Sequence, residues 1–424
     1  MDVQTMWELR DDLQEYLSRY DDCFSHAANR RHLCTYVSGQ LSDLDAKSVE
    51  PIALAANVPV RTLQEFVAQH GWETERVRAR VSEIVRADHS GPRSIGIFDE
   101  TSDVKKGRKT PGVQRQWCGK VGKTENCVVT VHLAYAHDDF HCLLDGELYL
   151  PQSWAEDRER CREAGIPDEM NYRSKWRIAL ECYDRACKQG LEFAWITGDE
   201  GYGSKPELME ELQQRKQNFV LEVPRNFSVW SRRPATTERS YRRGGRGRPR
   251  NVPRLKANQA LPQSVEQLSE HHHVWSTWEK YRIKESDHGP MVWEARRTRV
   301  VLKGSDGLPG RSLWLVQARN GLDANEIKYF VSNGSDEEPM DTLLIVAFSR
   351  WRIERVFEDQ KQEIGLDCYE GRKYLGLKRH LILSTISYLF LSKTRERLGG
   401  KKGGHHNSAD SPCDQHYRPE PLGV

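Results

Sequence analysis

The sequence predicts an α/β protein whose core is interrupted by a β-rich insertion and preceded by an all-helical segment. Three observations carry that expectation. Apolar residues recur at helical spacing up to about residue 88; from Ser94 they gather into short runs that end in acids; and helical signals lapse between Pro224 and about Asn333. With 424 residues, the chain has room for two or three units and at least one sizeable core.

Within the helical segment, Leu9, Leu13, Tyr16, Leu17 and Tyr20 form one stripe and Leu33, Tyr36, Val37 and Leu41 a second. Val49 to Ala56, the turn Asn57-Val-Pro59 and Val60 to Val67 then read as helix, tight turn, helix. Two readings of that pair stay open. A helix-turn-helix over 49–70 would place Arg61, Thr62 and Gln64 at the start of a DNA-recognition helix, whereas a plain helical bundle would leave them solvated.

Ser94-Ile-Gly-Ile-Phe-Asp99 reads as a buried strand ending in an acid, followed by strands at Gly112 to Gly119 and Cys127 to Tyr135. After a helix over Tyr172 to Gly190, Phe193-Ala-Trp-Ile-Thr197 is again an apolar strand, with Asp199 at its end. A helix (Pro206 to Lys216) and a strand (Asn218 to Val223) follow. Acids at the C-terminal ends of strands place a candidate site along that edge. In the insertion, Val274 to Ile283, Met291 to Leu302 and Leu313 to Ala318 read as strands. The core resumes with one long helix from about Asp341 to Ile364 and an apolar helix from Arg379 to Leu398. The expected units are therefore a helical 1–90, a core in two parts (91–224 and 336–398) around an insertion (225–335), and a disordered polar tail (399–424).

Charged residues make up 30% of the chain while the net charge is only +2, so overall charge says little about partners. Its distribution says more. Residues 232–256 hold ten Lys or Arg against one acid, Glu238, in an Arg/Gly/Pro stretch that cannot form a packed core. Phosphate contact by such an arm, through Arg246, Arg248 and Arg250, competes with a reading as a solubilising loop. No basic region followed by an apolar core opens the sequence, and no apolar run is long enough to span a membrane, which points to a cytoplasmic protein with no membrane partner. The ten cysteines contain no Cys-x-x-Cys pair and are expected as isolated thiols.

Two strand-end aspartates, Asp99 and Asp199, and a later helix bearing Glu354 supply three carboxylates that a fold could bring together. Like charges about 4 Å apart repel by about 4 kcal/mol at an effective dielectric near 20, so such a cluster calls for a cation. Hard oxygen donors favour Mg²⁺ or Mn²⁺, and two such ions can activate a hydroxyl and stabilise a leaving oxygen in phosphodiester chemistry. Taken singly, each aspartate could equally be a helix N-cap. Strand alternation would turn Glu100 and Glu200 away from their neighbouring aspartates. On the later helix Arg350, Glu354, Glu358 and Lys361 fall on one face, opposite Ile353, Val356 and Phe357.

Several ordered segments then match a known pattern: Phe98 to Ser102 with Lys105 to Gly107; Gly112 to Gln116 with Gly122, Lys123, Asn126 and Cys127; Gly198-Asp-Glu-Gly-Tyr-Gly203; Tyr329 to Asn333; Arg350 to Glu354 with Phe357 and Lys361; and Gly365 to Arg372 with Arg379 and His380. Across residues 94 to 395 the chain resembles the bacterial insertion-sequence DDE transposases with a Tyr-Arg-Glu-Lys signature. The resemblance implies a ribonuclease-H-like core with an insertion between the second Asp and the Glu, and a metal-binding catalytic triad of Asp99, Asp199 and Glu354 with two Mg²⁺ or Mn²⁺ ions. It further implies Arg350 and Lys361 on DNA, and cleavage and strand transfer of double-stranded DNA at element ends and target by a homodimer associated with the nucleoid. Lys105, Lys106, Arg115 and Arg61 are further DNA-contact candidates. The signature's tyrosine falls on Ala347, so Phe348 or Trp351 is left to stack against a displaced base. A nuclease without strand transfer, or a catalytically silent DNA-binding descendant, are the alternatives.

Overall fold

The computed structural model describes residues 3–237, 253–286 and 289–399. They form two compact units: residues 1–194 with 350–399, and residues 195–349. The first unit begins with five helices, α1 (Val3–Ser18), α2 (Ala27–Gln40), α3 (Val49–Ala55), α4 (Val60–Ala68) and α5 (Thr74–His89). Four strands follow, β1 (Ile95–Val104), β2 (Gln114–Cys118), β3 (Lys123–His137) and β4 (Phe140–Leu148). Then come α6 (Gln152–Ala155), α7 (Arg158–Glu163) and α8 (Lys175–Lys188). In the second unit lie β5 (Trp195–Gly198), α9 (Glu200–Gly203), α10 (Pro206–Gln214), β6 (Phe219–Val223), β7 (Ser228–Trp230), β8 (Thr236–Thr237), β9 (Arg254–Leu255), β10 (Gln263–Ser264) and α11 (Val265–Ser269). They are followed by β11 (Glu279–Ser286), β12 (Gly289–Lys303), β13 (Pro309–Asn320), β14 (Ile327–Ser332) and α12 (Met340–Phe348). The chain returns to the first unit with α13 (Trp351–Asp359), a π turn (Gln360–Ile364) and α14 (Tyr374–Gly399).

The sheet of the first unit is built on β3, which pairs antiparallel with β1 on one edge and with β2 and then β4 on the other. Residues 127 to 136 of β3 are all buried, as a strand covered on both faces should be. In the second unit the order is β10-β7-β12-β13-β14-β6-β5, with β11 on β12; only β5 and β6 are parallel, so the architecture is mixed α/β. Where α9 crosses β6, a Cβ on Gly203 would lie 1.8 Å from the Glu222 carbonyl oxygen, so that motif position admits glycine alone.

Three expectations are corrected. Strand β1 does not end at Asp99 but runs on to Val104, because Glu100, Thr101, Ser102 and Asp103 continue the pairing with β3. The helix expected over 341–364 is broken: Ser349 turns its hydroxyl back onto the Ile345 carbonyl at 2.6 Å, a bond that bends helices, and the last turn before Gly365 is π-wound. The strand expected from Val274 instead begins at Glu279.

Helix α14 is the central post of the first unit. It packs on β4 and carries α2, α4 and α5. Polar bonds join its apolar packing: Gln40 bonds Ser384 and Ser387, the Tyr16 hydroxyl donates to the Ile386 carbonyl, and Tyr36 bonds the His380 Nδ1 at 2.8 Å. Arg379, 2% exposed, lies over Trp72 at 4.2 Å and donates to the carbonyls of Phe66, Val67, His70 and Trp72, which closes the C-terminal end of α4. The turn between α3 and α4 is made by Asn57 at φ +52°, a conformation Asn tolerates better than most residues, and Leu63, Phe66 and Val67 bury the inner face of α4. Among the described residues no helix is long and apolar enough to cross a membrane.

Replacing Arg379 with Leu would leave the Val67 and Trp72 carbonyls without their donor, while the Phe66 and His70 carbonyls keep the Trp72 indole and backbone N–H, and is expected to cost about 2 kcal/mol or more at 1–3 kcal/mol for each group that water cannot reach. Thermal or urea unfolding checks this; a variant as stable as the parent would show that α4 is not held through Arg379.

A second prediction concerns pH. Burial pushes His132 and His380 down to about 4 from the usual 6.5. Below about pH 6.5 the unfolded chain takes up protons that the folded chain refuses until about pH 4, so stability falls with pH across that window, by at most about 1.4 kcal/mol per pH unit for each histidine. In urea titrations between these limits, His380→Gln should show a shallower loss than the parent; an unchanged slope would mean that His380 is charged in the native state.

Candidate active site

Strand β1 carries Asp99 in mid-strand with a side chain 13% exposed, on the same face as Ile97, Thr101 and Asp103 and opposite His132 of β3. Helix α13 lies on this strand: Ile353, Val356 and Phe357 are buried, and Phe357 meets the His132 ring edge-on at 5.2 Å. This packing lifts Glu354 to the outer side, where its side chain is 56% exposed. Arg350, one turn earlier, joins the two acids. Its Nη1 is bonded to the Glu354 Oε1 and stands 3.9 Å from the Asp99 Oδ2, while Asp99 Oδ1 accepts the Glu100 N–H at 2.7 Å. Carboxylates 255 positions apart in sequence thus share one guanidinium. Glu100 turns to the other face and pairs with Lys175 of α8, as alternation requires.

Asp199 belongs to the other unit, directly after β5, and is the N-cap of α9: its Oδ1 accepts the Gly201 N–H at 2.8 Å. Glu200 is therefore a helical residue, so the strand-alternation argument does not apply to it. Burial, with Glu222 adding to it, pushes the Glu200 carboxyl above its usual range. Among the described residues no group of three or more Asp, Glu, His or Cys side chains is arranged to hold a metal ion. Two hard oxygen donors, from Asp99 and Glu354, do converge on one cationic position, the one Arg350 fills, and that donor chemistry suits a divalent ion.

The π turn draws Lys361 off the face of Arg350 and Glu354. Its half-buried ammonium donates to the Ser102 carbonyl at 3.3 Å, and burial lowers its pKa against the pull of Asp367. It borders a network the sequence did not announce. Lys105 pairs with Asp103 and donates to the carbonyls of Asp367 and Tyr369, and Lys120 pairs with Asp367 at 2.8 Å. The Asn126 amide holds the carbonyls of Lys105 and Gly107. Motif segments that are scattered in sequence, 105–107, 126 and 365–372, are therefore one piece of structure. Their shared Lys, Asn and Gly residues were the available signal, but spacing alone could not pair them.

Of the other candidates, Lys106 and Arg115 are exposed, Arg61 is exposed and paired with Glu65, and Arg246, Arg248 and Arg250 lie outside the described residues. Phe348 sits 4.6 Å from Trp293 and 5.6 Å from Phe330, and Trp351 lies edge-on to His141.

A sequence model described as DDE superfamily endonuclease matches residues 19–290, more than half of the chain. The chain belongs to the DDE superfamily endonucleases. Asp99 and Asp199 fall inside the matched span and Glu354 beyond it. A curated relative, the probable transposase for insertion sequence element IS701 of Microchaete diplosiphon, is 29% identical over 221 residues, 51% of this chain. The chain spans about half the length of that relative, 55%.

The burial of Lys361 changes what its removal should do. Lys361→Ala leaves the Ser102 carbonyl without its partner and is expected to cost about 1–3 kcal/mol, unlike an ordinary surface charge. Lys361→Met should recover part of that loss by keeping the packing. Unfolding curves decide; an unshifted Lys361→Ala curve would place the ammonium in solvent.

Proposed function

We propose that this DDE endonuclease is a transposase that cuts double-stranded DNA at the ends of an insertion sequence and joins the freed ends to a target, with Asp99, Asp199 and Glu354 as its catalytic carboxylates. The convergence of Asp99 and Glu354 on the Arg350 guanidinium carries the reading, and the IS701 relative supports it. The succession β1, β3, β4, α8, β5, α10, β6 supports a ribonuclease-H-like core.

The three carboxylates would hold divalent ions, Mg²⁺ or Mn²⁺, which supply a lowered pKa for the attacking hydroxyl and charge stabilisation for the leaving oxygen. The chain's own residues do the rest. The β1–α13 packing, locked by Phe357 on His132, fixes the spacing of Asp99 and Glu354 before DNA arrives, so little reorganisation is left for the reaction. Arg350 can turn from the carboxylates to a phosphate oxygen, keeping the fork geometry that suits either anion. Asp199, oriented by the α9 N-terminus, presents its carboxylate with the rotamer already set.

Asp99→Asn, Asp199→Asn and Glu354→Gln should each abolish cleavage of end DNA in Mg²⁺ while leaving binding to that DNA intact, read by gel analysis of products beside a binding titration. Robust cleavage in excess chelator, or by any of the three variants, would refute the assignment. Cleaved but never joined ends would make the protein a nuclease rather than a transposase.

A further inference from the structure

Two grooves open on the first unit. One, about 680 Å³, is lined by the exposed side of α4, including Arg61 and Gln64, and by residues 368–373. The other, about 630 Å³, is lined by residues 103–110 and again by the 367–372 segment. They share Ser48, Cys368, Glu370 and Arg372, so they form one trough from α4 to the loop after β1. Its acids are mostly engaged: Asp103 with Lys105, Asp367 with Lys120 and Glu65 with Arg61. Of its cations, Arg61, Lys105 and Lys373 are engaged as well, and four are not. Lys106, Arg108, Lys109 and Arg372 are exposed, and among the described residues their side chains make no ion pair or hydrogen bond.

Against these four cations the trough sets two acids unengaged among the described residues, Glu50 and Glu370, so its surface stays net positive, and several bonds hold the loop that carries three of the cations. The Lys105 N–H donates to the Asn126 carbonyl at 2.9 Å, Asn126 returns its amide to Lys105 and Gly107, and Arg160 holds the Arg108 carbonyl at 2.9 Å. Lys105 gives its ammonium to the carbonyls of the 367–369 segment, which fastens the loop to the stretch of chain that carries Arg372. A cation on a braced backbone loses little entropy when it meets an anion. The spacing also fits a polyanion. From Val104, where the loop begins, β1 runs back to Asp99 at about 3.3 Å per residue, so the loop starts roughly 17 Å from that carboxylate, the length of about five base pairs.

We propose that this trough is a track for the sugar-phosphate backbone of duplex DNA, in which Lys106, Arg108, Lys109 and Arg372 contact phosphates between a base-reading α4 and the Asp99 strand. The proposal rests on the reading of the chain as a DNA-cutting enzyme and adds the route by which the duplex reaches the carboxylates. Phosphate contacts position without reading sequence, so these four residues govern affinity and its salt dependence, while Arg61 and Gln64 govern preference for the end sequence.

The test uses the full chain in chelator, where no cleavage occurs, and measures Kd for an element-end duplex and a scrambled duplex over a range of KCl. Replacing Lys106, Arg108, Lys109 and Arg372 together with Gln should weaken both duplexes alike and flatten the slope of log Kd against log salt by up to about 3.6, at 0.9 per lost contact. A control with the same charge change at Arg31, Lys216, Lys303 and Arg311, exposed positions outside the trough, should keep the parental slope. Arg61→Ala with Gln64→Ala should instead narrow the difference between end and scrambled DNA. A parental slope in the trough variant, or an equal flattening in the control, would overturn the proposal while leaving the catalytic reading intact. Loss confined to an RNA duplex of the same sequence would overturn it too, and a parent that binds neither DNA would overturn both.

Discussion

The first unit depends on a single long helix that is buried on nearly every side yet is far from uniformly apolar. Along α14, Arg379, His380, Ser384 and Ser387 are buried, and each takes a polar partner from another element. The neighbours are the N-terminal helices and α13: Gln40 and Tyr36 from α2, the end of α4, and Asp359 of α13, which takes Tyr388 and Arg395. Apolar packing alone would tolerate sliding by a turn. These bonds fix the register, so α3 and α4 and the helix carrying Glu354 are set by the same post.

That constraint explains which parts of the fold could be read from residue order. The change of period near Ser94 is real, since helices stop at His89 and β1 starts at Ile95, but packing does not change there: α14 binds the early helices into the unit that holds β1 to β4. Strand β4 was invisible for a related reason. It carries Asp145 and Glu147, which look like loop residues, yet both are buried because Arg78 and Arg185 reach Asp145 at 2.7 and 2.8 Å from other helices. Likewise the polar tetrad Glu100 to Asp103 hid the second half of β1. Periodicity reports which side chains are apolar; it cannot report that a charge has a partner elsewhere.

The candidate site was legible where chemistry is carried by residue type and strand position. Asp99 and Glu354 do converge on Arg350, and Asp199 does sit at a strand end, where it serves as the N-cap of α9. Legibility failed where a lysine's length matters. Lys105 and Lys361 look like DNA contacts in a one-dimensional reading, but each ammonium reaches inward to carbonyls, and the free cations are their neighbours Lys106, Arg108 and Lys109. Nothing in the local sequence separates the lysine that braces a loop from those the loop displays.

Among the arginine-held carboxylate clusters of the first unit, the difference between those around Asp145 and Asp99 separates architecture from chemistry. Around Asp145 the acid is 3% exposed and Arg78 6%, and although Arg185 is 28% exposed, two arginines face the one acid, so its charge is met inside the fold. Around Asp99 the guanidinium that links the two acids is 23% exposed and Glu354 56%. Water screens that second cluster, so its ion pairs contribute little to stability and can be exchanged at low cost. A site that must release one cation in favour of a metal or a phosphate requires that weakness. What separates the two clusters is the exposure of their acids, 56% at Glu354 against 3% at Asp145.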